Sequence, residues 1–207
     1  LRRTGLQDMD RRFVTELVYG AVKAGDTLDW MLRRYVNRPI AKIPPMVRDI
    51  LRLGLYQLFF MDKVPASAAC NESVELTKRY GHAGTVKFVN AVLRTAVREP
   101  ERANFPDGKG KATEHLALAA QHPQWLVKRW IREFGYEETR LLCAFDNEQA
   151  PLCLRANTLK IGREQLLTVL AEEGAIVEPS GWAPEGILCS AHGSLDTMPS
   201  LKAGLFQ

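Results

Sequence analysis

Four groups of side chains in this sequence have the type and spacing to grip negative charge. Lys87, Arg94 and Arg98 stand at i, i+7 and i+11, a single stripe on a helix. Lys78 and Arg79 close the segment before it, with Tyr80 beside them as a ring on which an unpaired base could stack. Arg48 and Arg52 lie one helical turn apart, and Arg155 and Asn157 project from one side of an alternating stretch. Cations clustered on one face are what contact with phosphates requires. Each group also has a plainer reading. Surface cations solvate a helix, Glu75 is spaced to pair with Lys78 or Arg79, a carboxylate such as Glu72 would hold Arg48 and Arg52, and Arg155 with Asn157 fits a solvated strand face.

No other residues group into a reaction centre. The four histidines, His82, His115, His122 and His192, are scattered without an evident carboxylate or serine partner. The cysteines, Cys70, Cys143, Cys153 and Cys189, form no CxxC pair and no metal-ligand set, so they read as free thiols of a reducing compartment, with Cys153 packing in a strand. Gly108-Lys109-Gly110 lacks the third glycine and preceding strand of a nucleotide loop and reads as flexible spacer. Asn71 and Asn90, in apolar helical surroundings, are expected to make buried hydrogen bonds that fix helix register. No catalytic, cofactor-binding or metal-binding residue is therefore assigned.

The net charge of +4 hides an asymmetry: residues 1–112 hold 20 Lys+Arg against 12 Asp+Glu, net +8, whereas residues 113–207 hold 8 against 12, net −4. A basic half implies a polyanionic partner. No uncharged apolar run reaches membrane-spanning length and no apolar leader opens the chain, so a cytoplasmic piece of something longer is expected, with no membrane partner.

The elements that must position these groups begin with Pro44–Asp62, apolar around nearly its whole circumference and hence a buried central helix, with Gly54 marking close approach by a neighbour. Before it, Asp8 or Asp10 is placed to cap a helix ending at Gly25, with Phe13, Val14, Leu17, Val18, Ala21 and Val22 inward. A second helix then buries Leu28, Met31, Leu32, Tyr35 and Val36. After it, Ser67 caps a helix with Ala69, Cys70, Ser73, Leu76 and Thr77 on one side and Gly81 as a left-handed terminator. A last helix stripes Val86, Val89, Leu93 and Val97. Residues 1–99 thus read as an all-α bundle and 100–112 as a linker. Residues 113–207 read as two helices followed by strand, helix, strand, strand: LCLRAN, a leucine-rich helix closed by Gly174, AIVEP and ILCSA. Signals fade beyond Gly193.

RRFVTELVYG, VRDILRLGLYQLFFMDKVPASAACNESVELTKRYG and KFVNAVLR resemble the NusB-like RNA-binding domain, in the wording of the copy carried by Sun/Fmu-type ribosomal RNA methyltransferases. HPQWLVKRW and NEQAPLCLRANTLK look like the small domain preceding the catalytic domain of RNA cytosine-C5 methyltransferases. The resemblance implies an all-α NusB-like helical bundle followed by a small α+β, ferredoxin-like domain with leading helices. It also implies a parent enzyme acting on small-subunit ribosomal RNA with S-adenosylmethionine: a cysteine thiolate adds to C6 of the base, C5 takes the methyl group, and a base removes the C5 proton. Family members carry further helices at the N-terminal side, and lead on into a Rossmann-like domain with a glycine-rich cofactor loop and two cysteines. No strand followed by such a loop and no Pro-Cys or Thr-Cys pair occurs here, so the segment is expected to position RNA and to be inactive alone. The alternatives are a non-enzymatic NusB-type antitermination module, which should end near Glu99, and a protein adaptor whose basic face meets an acidic partner.

Overall fold

The computed structural model describes residues 5–108, 110–148, 150–191 and 195–207, without the side chains of Asp8 and Ala191. The expected cap by the Asp8 side chain, Lys109 and His192 lie outside the described residues. The helices are α1 (Asp8–Lys23), α2 (Gly25–Tyr35), α3 (Pro45–Phe60), α4 (Ala66–Tyr80), α5 (Ala83–Arg98), α6 (Ala112–Ala119), α7 (Gln124–Phe134), α8 (Tyr136–Phe145), α9 (Arg163–Glu172) and α10 (Pro199–Lys202). The strands are β1 (Leu152–Arg155), β2 (Ile176–Pro179) and β3 (Gly186–Ala191). The chain forms two compact units, Leu1–Asn147 and Glu148–Gln207.

Helix α3 is the hub of the first unit, and α1, α2, α4 and α5 all pack on it. Pro45 occupies its first turn, where a missing N–H leaves no hydrogen bond unmade. Leu51 and Leu55 are wholly buried among Leu28, Leu32, Val89 and Leu93. Its circumference is not sealed, however: Met46 is half exposed, and Leu53, Leu58, Phe59 and Phe60 are only partly covered. Gly54 marks one close approach. A Cβ there would lie 2.8 Å from Leu93 Cδ1 and 2.9 Å from Ser73 Oγ, so α4 and α5 approach α3 as closely as they do because the methyl is missing.

Several local expectations give way to tertiary context. Gln7 precedes α1 without a side-chain cap, and Asp10 sits in the first turn instead. Among the described side chains of α1 Ala21 is the buried one, whereas Phe13, Val18 and Val22 are exposed to water. Gly25 opens α2 and does not end α1. Pro65, already extended, precedes α4 in place of a Ser67 cap, and Leu76 points outward. Gly81 is extended, not left-handed, and His82 then caps α5: its Nδ1 accepts from the Gly84 N–H at 3.2 Å while Thr85 Oγ1 accepts from the His82 N–H at 2.9 Å. On α5, Val97 is exposed and Ala96 takes the buried place.

Residues 100–105 make specific contacts with the bundle. Pro100–Ala103 forms a 3-10 turn with Ala103 buried, the Tyr35 hydroxyl donates to Glu99 O at 3.1 Å, and the Phe105 ring lies 5.6 Å from that of Trp30. Helix α6, unforeseen in the sequence, then packs against α2, where the Thr27 hydroxyl donates to Leu118 O at 3.1 Å. Helices α6–α8 share a small core of Leu116, Ala117, Ala120, Val127 and Cys143. The compact division after Asn147 therefore lies beyond the composition shift at 100–112.

In the second unit the strand order is β1-β3-β2, both pairings antiparallel, with Leu154 opposite Ile187. Leu154, Ala156, Ile187 and Cys189 alternate inward onto Leu166 and Leu170 of α9. Gly174 ends the α9 region at φ +86, a conformation other residues adopt only with strain. The last residues return beside β1: Ala156 bridges Phe206, and Arg155 and Gln207 exchange backbone hydrogen bonds of 2.9 and 3.1 Å.

Candidate nucleic-acid interface

Helices α4 and α5 pack along their lengths and leave a groove between them. One stretch is lined by Asn71, Val74, Glu75 and Lys78 from α4 with Val86, Lys87, Asn90 and Arg94 from α5. The next is lined by Ala66, Ser67, Cys70 and Asn71 with Arg94, Val97 and Arg98. Asn71 and Arg94 belong to both, so the two stretches are one channel. It gathers four of the predicted cations, Lys78, Lys87, Arg94 and Arg98.

Spacing explains the assembly. Lys87, Arg94 and Arg98 follow the open edge of α5 because Val89, Val92, Leu93 and Ala96 on the other side are buried. Asn71, Glu75 and Lys78 follow the matching edge of α4, whose Ala69, Cys70, Ser73 and Thr77 face inward. Arg94 donates from Nε to Asn90 Oδ1 at 2.9 Å, which aims its guanidinium along the groove. Lys78 pairs with Glu75 at 2.7 Å, and Arg98 with Glu99 at 2.9 Å. Lys87 has no ion pair among the described residues. Burial raises the Cys70 thiol above its usual range, against a lowering by Arg94, so the floor stays neutral and soft.

Asn71 and Asn90 are thus not buried register pins. Asn71 is exposed and Asn90 is half-buried, holding Arg94. Glu75 is the only carboxylate among the residues described as lining the groove, and the i, i+4, i+7 spacing of Asn71, Glu75 and Lys78 was the signal that could have placed it there.

The other candidates lie elsewhere. Arg79 sits over the exposed ring of Tyr80, 5.5 Å from its centroid. Arg52 donates Nε and Nη2 to the two carboxylate oxygens of Asp29, 2.8 Å each, and Nη1 to Asp49 Oδ1 at 2.9 Å; the hydrogen bonds it gives to Asp29 raise its affinity for the proton further. Its partner is Asp29 and not Glu72. Arg48 is half-buried, and its Nε is enclosed without a hydrogen-bond partner among the described residues. Arg155 is exposed beside Asn157, Leu159 and Gln207, in a shallow pocket of the second unit. Asn157 spends its amide internally: Nδ2 donates to Gly204 O at 2.9 Å and Oδ1 accepts from the Leu159 N–H at 3.3 Å.

Two residues set aside as inert have partners or exposure not foreseen. His122 Nε2 lies 3.8 Å from Asp146 Oδ2. Cys153 faces solvent on the open side of the sheet and does not pack in the strand, while Cys70, Cys143 and Cys189 are buried. Among the described residues no group of three or more His, Cys, Asp or Glu is arranged to hold a metal, and no helix is long and apolar enough to cross a membrane.

Comparison with known proteins adds what the chain is similar to. Residues 1–98 match the NusB family and residues 122–196 match the ferredoxin-like domain of RsmF/B-like methyltransferases. The probable ribosomal RNA small subunit methyltransferase B of Synechocystis sp. is 39% identical over 99% of this chain and 46% of its own length. The probable enzyme of that name from Bacillus subtilis is 37% identical over 90% of this chain and 41% of its own. The crystal structure of PH0851 shares the fold, with a TM-score of 0.70 at 19% identity over 100% of this chain and 46% of that one. The chain spans about half the length of the curated relatives it matches. A NusB-family match is thus followed by an RsmF/B-like ferredoxin-like match, and along nearly its whole length the chain is similar to proteins named ribosomal RNA small subunit methyltransferase B.

Proposed function

We propose that this chain holds small-subunit ribosomal RNA for a cytosine-C5 methyltransferase, with the α4–α5 groove as the main phosphate contact. The observation that supports this most is the convergence of Lys78, Lys87, Arg94 and Arg98 on one channel. Four cations tracking one line suit a polyanion, since each phosphate neutralised releases a counterion. The contribution of this segment is positioning: it fixes the RNA so that one cytosine is presented to a pocket elsewhere in the enzyme.

S-adenosylmethionine supplies the methyl group in that reaction. The connection from β1 to α9, Ala156–Gly162, holds a single glycine, and β1 and β2 both pair antiparallel with β3. That arrangement does not fit a glycine-rich cofactor loop at the end of a parallel strand, so no residue here is assigned to the cofactor. An antitermination module alone is the weaker reading, because residues 122–196, after the NusB match, match the ferredoxin-like domain of RsmF/B-like methyltransferases.

Titrating a labelled fragment of small-subunit ribosomal RNA with the 207-residue chain over a range of salt tests the proposal. Log affinity should fall linearly with log salt, and the double change Lys87→Gln with Arg94→Gln should lower the slope by about 1.4–1.8. Affinity independent of salt, or a double variant that binds like the parent, would overturn the groove assignment. S-adenosylmethionine binding by this segment would overturn the division of labour.

A further inference from the structure

Helix α7 carries a second cationic face, outside the α4–α5 groove. Trp125, Lys128, Arg129 and Arg132 stand at i, i+3, i+4 and i+7 and so share one side of the helix, about 10 Å from end to end. The opposite side is fixed: Val127 is wholly buried, and Trp130 and Ile131 pack with it on Leu116 and Cys143. The outward face is therefore permanent, and it leaves the Trp125 indole 67% exposed.

Charge tells what would cover it. Three cations stand against one carboxylate at the edge, Glu133, which accepts from Arg129 Nε at 3.1 Å and Arg132 Nη2 at 3.4 Å and so steers both guanidinium groups along the face. These contacts hold the Glu133 carboxyl below its usual range. Lys128 has no ion pair among the described residues. The face has a flat aromatic surface flanked by cations, the combination that stacks an unpaired base and holds the adjoining phosphates. An acidic peptide would use the cations but leave the indole without a planar partner.

We infer that this face of α7 is a second RNA contact that takes an unpaired nucleotide, its base on Trp125 and its flanking phosphates on Lys128, Arg129 and Arg132. The inference rests on the RNA-holding role proposed above and adds single-strand selectivity to it. The groove reads backbone, whereas this face reads the absence of pairing.

The test is fluorescence anisotropy of the 207-residue chain with two RNA probes of equal length, a hairpin with an unpaired loop and a blunt duplex. Trp125→Ala should weaken hairpin binding roughly tenfold and leave the duplex within about twofold. Trp125→Phe should recover most of the loss, and melting curves should coincide because the side chain packs on little. Trp125→Ala binding the hairpin like the parent, while the Lys87→Gln, Arg94→Gln variant binds it weakly, would sink this inference and leave the groove standing. Equal losses on hairpin and duplex would overturn base stacking. Displacement of the hairpin from the parent but not from Trp125→Ala by an acidic peptide would reassign the face to protein. A parent chain that binds neither probe at low salt would remove the RNA-holding role itself.

Discussion

Arg52 on α3 and Asp29 on α2, 23 positions apart in sequence, are joined by two parallel hydrogen bonds of 2.8 Å, a fork-to-fork pair between the two helices. Their side chains are only 26% and 18% exposed, so the pair is screened less than a surface bridge. An arginine held this way braces a helix packing before it is available to a phosphate.

Arg52→Gln is therefore expected to lower stability by about 1–3 kcal/mol, read by urea denaturation, and to change RNA affinity less than twofold. Lysine should not restore the loss, because an ammonium cannot reproduce the planar fork. Lost affinity with unchanged stability would return Arg52 to the interface.

Gly54→Ala should destabilise the first unit by about 1–3 kcal/mol, overpacking outweighing the roughly 1 kcal/mol that alanine gains in helix propensity. The new methyl presses on Leu93 and Ser73, one from each helix that bounds the groove. RNA affinity should drop as well, although no charge has changed. A variant as stable as the parent would show that α4 and α5 yield easily.

Glu75→Gln removes the carboxylate that lines the groove and releases Lys78 from its 2.7 Å pair. Binding at low salt should strengthen by about twofold to fivefold, and the gain should vanish at high salt. Weakened binding would mean that Glu75 positions Lys78 for contact.

Thiol titration of the native chain at pH 8 should modify Cys153 rapidly and the other three slowly. Burial raises the Cys70 and Cys143 thiols, and a raised value means less reactive thiolate at any given pH. Cys153→Ser should abolish the fast phase. A fast phase that persists would show that a buried thiol opens readily.

Local pattern made much of this fold readable. The burial of Leu28, Met31, Leu32 and Tyr35 on α2 and of Val89 and Leu93 on α5, the alternation of Leu152 to Asn157 and the left-handed Gly174 all follow from spacing and backbone preference. Helix α6 escaped because its buried residues, Leu116, Ala117 and Leu118, are consecutive and show no helical period. Asn71 was misplaced because its neighbours Ala68, Ala69 and Cys70 are small and mark no clear apolar face. Asp29 could not be paired with Arg52 from spacing, since the contact depends on how two helices cross. The four groove cations were each legible, but that Lys78 faces Lys87 and Arg94 across a channel is a property of packing.

The return of Leu205–Gln207 alongside β1 has a further consequence for the small sheet. An uncovered strand invites a foreign strand to add to it, which is how aggregation begins. Here one rim already has the backbone groups of Arg155 and the N–H of Asn157 taken by Gln207 and Leu205, and the other carries an irregularity between Ile176 and Val177 and ends in Pro179, which has no N–H to offer. Neither rim offers an intruder a straight, unpaired row of donors and acceptors, so an exposed thiol and an open face can be tolerated on this unit without its becoming a template for self-association.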